Sequence, residues 1–144
     1  MLQKISMQWF KTKNEAHGLQ SVGKVDPTLF EQEFGKLKTC EVVLTPERKM
    51  HVKERHPKDY SLLEKYGNET ISDPDMILKD RKNPKTVFMI KKLENTNLNV
   101  IVRLALGSDG KDKKNSIMTF YRIRDSNLKK LAIKNKELYR RNST

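Results

Sequence analysis

A chain of 144 residues and 16.9 kDa has room for one hydrophobic core and not for two independent ones. Its 30 Lys and Arg against 18 Asp and Glu leave a net charge of +12, spread along the chain, so a polyanion is the natural partner and nucleic acid the commonest polyanion. An acidic membrane surface would call for a basic helix with a strong apolar face or a lipid signal, and neither is found; the apolar runs are too short to span a bilayer, and MLQKISMQWFKTK lacks the apolar stretch of a secretory signal, so a soluble, cytoplasmic protein is expected.

In chain order, residues 1–25 are polar and weakly patterned and read as a leader, with ISMQWF a short strand or edge at most. DPTLFEQEFGKLKT reads as a core-packing helix: Asp26 caps it, Pro27 takes its first position, and Leu29, Phe30, Phe34 and Leu37 recur at helical spacing. CEVVL is a short β-branched strand that stops at Thr45, the expected cap of a helix begun by Pro46. Pro57 closes that helix and pushes the preceding residue, His56, out of the α region. A further helix from about Tyr60 to Tyr66 ends at Gly67, read as a C′ glycine, and SDPDMILKD repeats the capped-proline device and predicts one or two helical turns. Three strands follow, KTVFMIKKL, LNVIVRLAL and SIMTFYRIR, joined by ENTN and by the long polar loop GSDGKDKKN, and they pair as an antiparallel meander. SNLKKLAIKNKELYRR closes the chain as a helix capped by Ser126, with Leu128, Leu131, Ile133 and Leu138 toward the core. The expected fold is therefore α+β: N-terminal helices packed on a small antiparallel sheet of about three to four strands, with a C-terminal helix.

Cys40 is alone and cannot form an internal disulfide, and three histidines with one cysteine do not make a conventional structural zinc site. Metal-free chemistry without a cofactor is the expectation. The stretch that carries it is HVKERHP. The helix from Pro46 to His56 has almost no apolar stripe, so packing explains it poorly; His51 and Arg55 lie one turn apart on one face, and His56 can turn back beside them. Two imidazoles beside a permanent cation suit phosphodiester transfer: one takes the proton of a ribose 2′-hydroxyl, another group protonates the leaving oxygen, and the guanidinium balances charge on the phosphorane. The competing reading makes both histidines surface or capping residues of a charged helix. In SIMTFYRIR, alternation sets Met118 and Phe120 on one face and Thr119 and Tyr121 on the other, where two hydroxyls can bond a phosphate or orient an imidazole; Tyr121 is equally at home as an ordinary strand residue. From Arg122 to Arg141 eight Lys or Arg outnumber two Asp or Glu, which describes either a solvated helix face or a phosphate-tracking surface. His17, beside Gly18, has no local partner and stays unassigned.

HVKERHPKDY, then ISDPDMILKD, then a meander ending in IMTFYRI, resembles the phage-associated nucleases of the barnase, EndoU, colicin and RelE-like superfamily, over residues 41 to about 125. The resemblance implies one nuclease domain over residues 26–144, with endoribonuclease activity that needs no metal and proceeds by 2′-hydroxyl attack to a 2′,3′-cyclic phosphate. It also implies a phage or toxin setting, RNA as substrate, an immunity or antitoxin protein as a further partner, and action in the cytoplasm of the host or of a target cell. By position, His51, Arg55 and His56 match the helical motif, and Thr119 and Tyr121 match the hydroxyl-bearing strand. Lys53, Arg103, Arg122 and Arg124 are expected to bind substrate. The first 40 residues and the basic last helix match nothing in that pattern. Two other readings compete: a basic nucleic-acid-binding module without catalysis, which lysines would serve as well, and an ADP-ribosyl-transferring toxin, for which there is no nicotinamide-binding signature.

Overall fold

The computed structural model describes residues 18–142; ISMQWF and His17 lie outside them. The chain runs through β1 (Gln20–Lys24), a 3-10 turn (Pro27–Leu29), α1 (Glu31–Phe34), β2 (Glu41–Leu44), α2 (Pro46–Arg55), α3 (Pro57–Ser72), β3 (Met76–Lys79), β4 (Thr86–Lys92), β5 (Asn97–Arg103), β6 (Asn115–Ile123), α4 (Asp125–Lys134) and β7 (Lys136–Arg140). The strands form one sheet in the order β1-β2-β6-β5-β4-β3-β7, antiparallel throughout except between β2 and β6. The expected three- to four-stranded antiparallel sheet is thus corrected to a seven-stranded mixed one, with helices distributed along the chain and not gathered at its N-terminus.

Four local corrections account for the difference. Residues 20–24, expected within the leader, form β1 on the edge of β2, although QSVGK has a single large apolar residue. Its support comes from α3. Gly67 does not stop that helix but lies buried inside it at a close approach to β1, where a Cβ would come within 3.1 Å of Leu63 Cδ1 and 3.2 Å of Val22 Cγ1. The Asn68 side chain then donates to the Val22 carbonyl at 3.0 Å. The helix expected over DPTLFEQEFGKLKT is reduced to a 3-10 turn and one α turn: Asp26 caps the first as expected, but Gly35 at φ 77° ends the second, and the chain departs to bond the end of β5 through Lys38 N and Ala105 O.

The helical turns expected in SDPDMILKD are instead β3, which pairs with β4 on one side and β7 on the other. Four residues are too few to separate a helical period from a strand period, and two neighbouring strands decide the matter. The single C-terminal helix is in fact α4 followed by β7. Asn135 makes the break: its amide donates to the Leu131 carbonyl at 2.9 Å and accepts from Arg81 N at 2.8 Å. Ser126 is not the cap; Arg124 stands at that position without a side-chain bond, and Asn97 instead bridges the Ile123 carbonyl and Asp125 at 2.9 and 2.8 Å. Ile133, expected in the core, is 85% exposed.

The core is split by the sheet. On one face Phe30, Leu44, Val52, Leu63, Ile71, Met89, Val100 and Phe120 pack with α2 and α3; on the other a smaller cluster of Met76, Leu78, Phe88, Ile90 and Ile123 is covered by Leu128 of α4. Asn115 joins the first layer to the meander: fully buried, it donates to the carbonyls of Thr39 and Glu41 at 2.8 and 2.9 Å and accepts from Ala105 N at 2.8 Å.

Asn115→Ala should therefore cost about 3 kcal/mol, since three bonds of ~1 kcal/mol are lost and backbone groups are stranded, read as a fall in the urea midpoint at unchanged slope. A second test is pH. Glu33 accepts from Lys136 at 2.6 Å and Lys79 at 2.9 Å, and these bonds pull its carboxyl from 4.5 down to about 2. A depressed folded value means stability present above pH 4.5 and lost as pH falls toward 2. Glu33→Gln should trail the native protein in urea at pH 6 and match it near pH 2.

Candidate active site

The site is built at the junction of α2 and α3. Thr45 caps α2, its hydroxyl accepting from Arg48 N at 3.2 Å, and Val52 is the only residue that α2 buries. His51 and Arg55 are therefore left exposed, one turn apart. Pro57 starts α3 and holds His56 at φ −139°, ψ 62°, where it ends one helix and begins the next: its N–H donates to the Val52 carbonyl at 2.7 Å and its carbonyl accepts from Tyr60 N at 3.0 Å. The histidine side chain is free of backbone duties and open to solvent.

Asp59, in the first turn of α3, is the residue that sequence reasoning passed over. It is only 6% exposed, it accepts from Arg122 Nε at 2.8 Å, and its second oxygen lies 3.9 Å from His56 Nδ1, within ion-pair range though too long for a hydrogen bond. The readable signal was His-Pro-x-Asp, a carboxylate at the start of a proline-initiated helix. Asp59 fixes the Arg122 guanidinium beside His56, while about half of the arginine side chain stays open at 51% exposure. Lys53 reaches back over the Tyr60 ring at 5.1 Å, and burial, with Glu64 nearby, pushes the Tyr60 phenol up to about 12, so this tyrosine stays protonated at neutral pH.

Arg122 points toward α3 because it follows Phe120 in alternation, and Phe120 belongs to the core beneath α2 and α3. Thr119 and Tyr121 consequently face the other way: Tyr121 packs against the cluster under α4, and Thr119 pairs with Ile101, which packs there too. Met118 does not share the Phe120 face in simple alternation, because the register against β5 slips between Ile101 and Val102 and brings both Ile117 and Phe120 into the same core. Arg103 lies apart, pairing with Ser116, six residues or ~20 Å along β6 from Arg122, in a cavity shared with Arg48 and Lys113. Arg124 stands at the start of α4. The structure thus gathers His56 and Arg122 around Asp59, with His51, Lys53 and Arg55 on the adjoining helix, and sets Thr119 and Tyr121 on the opposite face of the sheet and Arg103 at its far end.

The two faces meet along one edge. Among the described residues β2 meets β6 only at Asn115 and Ser116, so from Ile117 to Ile123 β6 has a strand on one side alone. The α2–α3 corner flanks this edge on one side and α4 on the other. Among the described residues no three or more His, Cys, Asp or Glu gather as a metal site, and no helix is long and apolar enough to cross a membrane.

A fixed guanidinium beside a solvent-facing imidazole, at an edge lined with cations, has the chemistry to pair with a phosphate group. By comparison with known families, the chain belongs to the phage-Barnase-EndoU-ColicinE5/D-RelE like nucleases, whose model matches residues 20–130, from β1 through most of α4. No curated protein and no solved structure matches it.

Removing Arg122 should strand the Asp59 carboxylate. Arg122→Ala is expected to cost about 2 kcal/mol, below the figure for a fully buried pair because the arginine is half exposed, and Asp59→Asn in that background should recover most of the loss. Strictly additive losses in a urea double-mutant cycle would show that the two side chains do not act as a pair.

Proposed function

We propose that this nuclease is an endoribonuclease that works without a metal ion, cutting RNA by attack of a ribose 2′-hydroxyl on the adjacent phosphorus. The observation that carries the reading is the arrangement of His56, Asp59 and Arg122: a solvent-facing imidazole next to a guanidinium that a buried carboxylate holds in place. As the 2′-oxygen bonds to phosphorus, its proton passes to one imidazole. The bond to the 5′-oxygen breaks, and a protonated group returns a proton to that oxygen, leaving a 2′,3′-cyclic phosphate and a 5′-hydroxyl. His56 and His51 are the proton carriers, Arg122 and Arg55 pair with the non-bridging oxygens, and Lys53, Arg103 and Arg124 bind the flanking chain. Thr119 and Tyr121 face away from His56 and belong with substrate contacts, not with proton transfer. A module that only bound nucleic acid would gain nothing from an imidazole at this place that a lysine could not supply. RNA is the substrate in this reading, a phage or toxin role its setting, and an immunity or antitoxin protein its natural inhibitor.

The test is cleavage of total RNA in excess EDTA. His56→Ala should lower kcat by about 10²- to 10⁴-fold, the usual worth of a general acid or base, and Arg122→Lys should retain folding but lose most activity, because a lysine cannot both pair with Asp59 and present a planar fork to phosphate. A bell-shaped dependence of kcat/KM on pH is expected from an acid and a base in one site. Undiminished cleavage by a His51→Ala, His56→Ala double variant would overturn the assignment.

A further inference from the structure

A cavity of about 540 Å³ lies between β6 and α4, on the far side of the free edge from His56. Tyr121 and Arg122 line it from the strand, and Arg124, Asn127, Lys130 and Lys134 from the helix and its start. Its chemistry differs from that of three other cavities among the described residues. No carboxylate lines it, whereas the cavity beside the β4–β5 turn has Glu94 and Asp125, that beside the β5–β6 loop has Asp112, and that at the start of α2 has Glu47 and Asp109. Among the described residues, Arg124, Lys130 and Lys134 make no ion pair, while Lys79, Lys85, Lys91, Lys114 and Lys136 each have an acidic partner. Unpaired cations gathered in a concavity hold a standing positive potential.

Tyr121 adds a second kind of contact. It is half-buried against the cluster under α4, which fixes its ring while part of it borders the cavity. An anchored aromatic ring beside several free cations combines the two elements that bind a single-stranded nucleic acid: stacking for a base and charge for the phosphates on either side of it. A duplex has no unstacked base to offer such a ring. Arg122 pairs with Asp59 and also borders the cavity, so the cavity adjoins a residue of the candidate site.

We propose that the β6–α4 cleft is a subsite for the single-stranded segment flanking the scissile phosphate, with a base stacked on Tyr121 and its neighbouring phosphates held by Arg124, Lys130 and Lys134. This rests on the ribonuclease reading for the position of the cut. The cleft confers a preference for unpaired RNA over duplex, without selecting a particular base, since every base has a face to stack.

The probe is a fluorescein-labelled single-stranded 2′-O-methyl oligoribonucleotide of eight residues, which 2′-hydroxyl attack cannot cut, titrated with the full chain at several salt concentrations. The triple variant Arg124→Ala, Lys130→Ala, Lys134→Ala should flatten the plot of log K against log salt by about 2, as expected for roughly three lost phosphate contacts on a single strand. Tyr121→Leu should weaken binding about tenfold and leave that slope unchanged. A control that removes three exposed charges elsewhere, Lys24→Ala, Lys82→Ala, Lys111→Ala, should alter the slope by less than half as much. Equal slopes for the two triple variants, or native affinity in Tyr121→Leu, would overturn the subsite, as would tighter binding of the matching duplex than of the single strand. Binding of this oligonucleotide is independent of turnover, so a protein that bound as described but cut no RNA would refute the ribonuclease reading and leave the cleft standing.

Discussion

The parallel join between β2 and β6 is two residue pairs long, and the buried amide of Asn115 holds it by bonding the chain just before and at the start of β2 while accepting from the end of β5. Everything at the candidate site follows from how short that join is. Because β2 passes through Thr45 directly into α2, the clamp that sets β2 on β6 also sets where α2 begins. Because β2 stops there, the second half of β6 pairs with β5 on one side and, among the described residues, with no strand on the other, so an otherwise interior strand gains a free edge. Side chains that alternate to opposite faces of a sheet are normally separated by it. Along this edge Arg122 and Tyr121 border the same cavity.

Charge is distributed in two ways over the same molecule. Four acidic residues join elements at the β4-β3-β7 end of the sheet: Glu33 bonds Lys79 and Lys136, Lys91 lies amid Glu69, Asp73 and Asp75, and Arg141 pairs with Asp73 and Asp75. Such exposed pairs are individually weak, but these tie β7 to β3 and to the segment ahead of β2. Beside the free edge, Asp59 is buried and committed to Arg122. Among the described residues Arg55, Arg124, Lys130 and Lys134 make no ion pair, so the positive charge there is not offset by a direct partner.

The parts of the fold that obey local rules could be read from the chain. Thr45 and Pro46 start α2, Pro57 forces His56 out of the helix, and the β4–β6 meander follows from long apolar runs separated by polar turns. The parts that depend on distant partners could not. Gly67 reads as a helix stop until Val22 is brought against it, and the bond that fixes this approach joins residues 46 apart in sequence. MILK and KELYR are strands because each lies beside the other, and neither has a decisive period alone. At the site, the alternation of Thr119 with Tyr121 was legible, but which helix covers their face was not, and that decides whether they meet the histidines. Asp59 was legible only as a helix-start acid, because the arginine that gives it a role lies 63 residues away.

The central claim is that the 2′-hydroxyl of the substrate is the nucleophile and that protein side chains alone move its proton. The most direct measurement uses an oligoribonucleotide with one 2′-deoxy sugar at the preferred cut, incubated with the full chain in EDTA, with the ends of the products weighed by mass spectrometry. Cleavage of the all-ribose strand to 2′,3′-cyclic phosphate and 5′-hydroxyl ends, with none at the deoxy position, is the expected result. Cutting at the deoxy sugar, or 5′-phosphate ends, would contradict it.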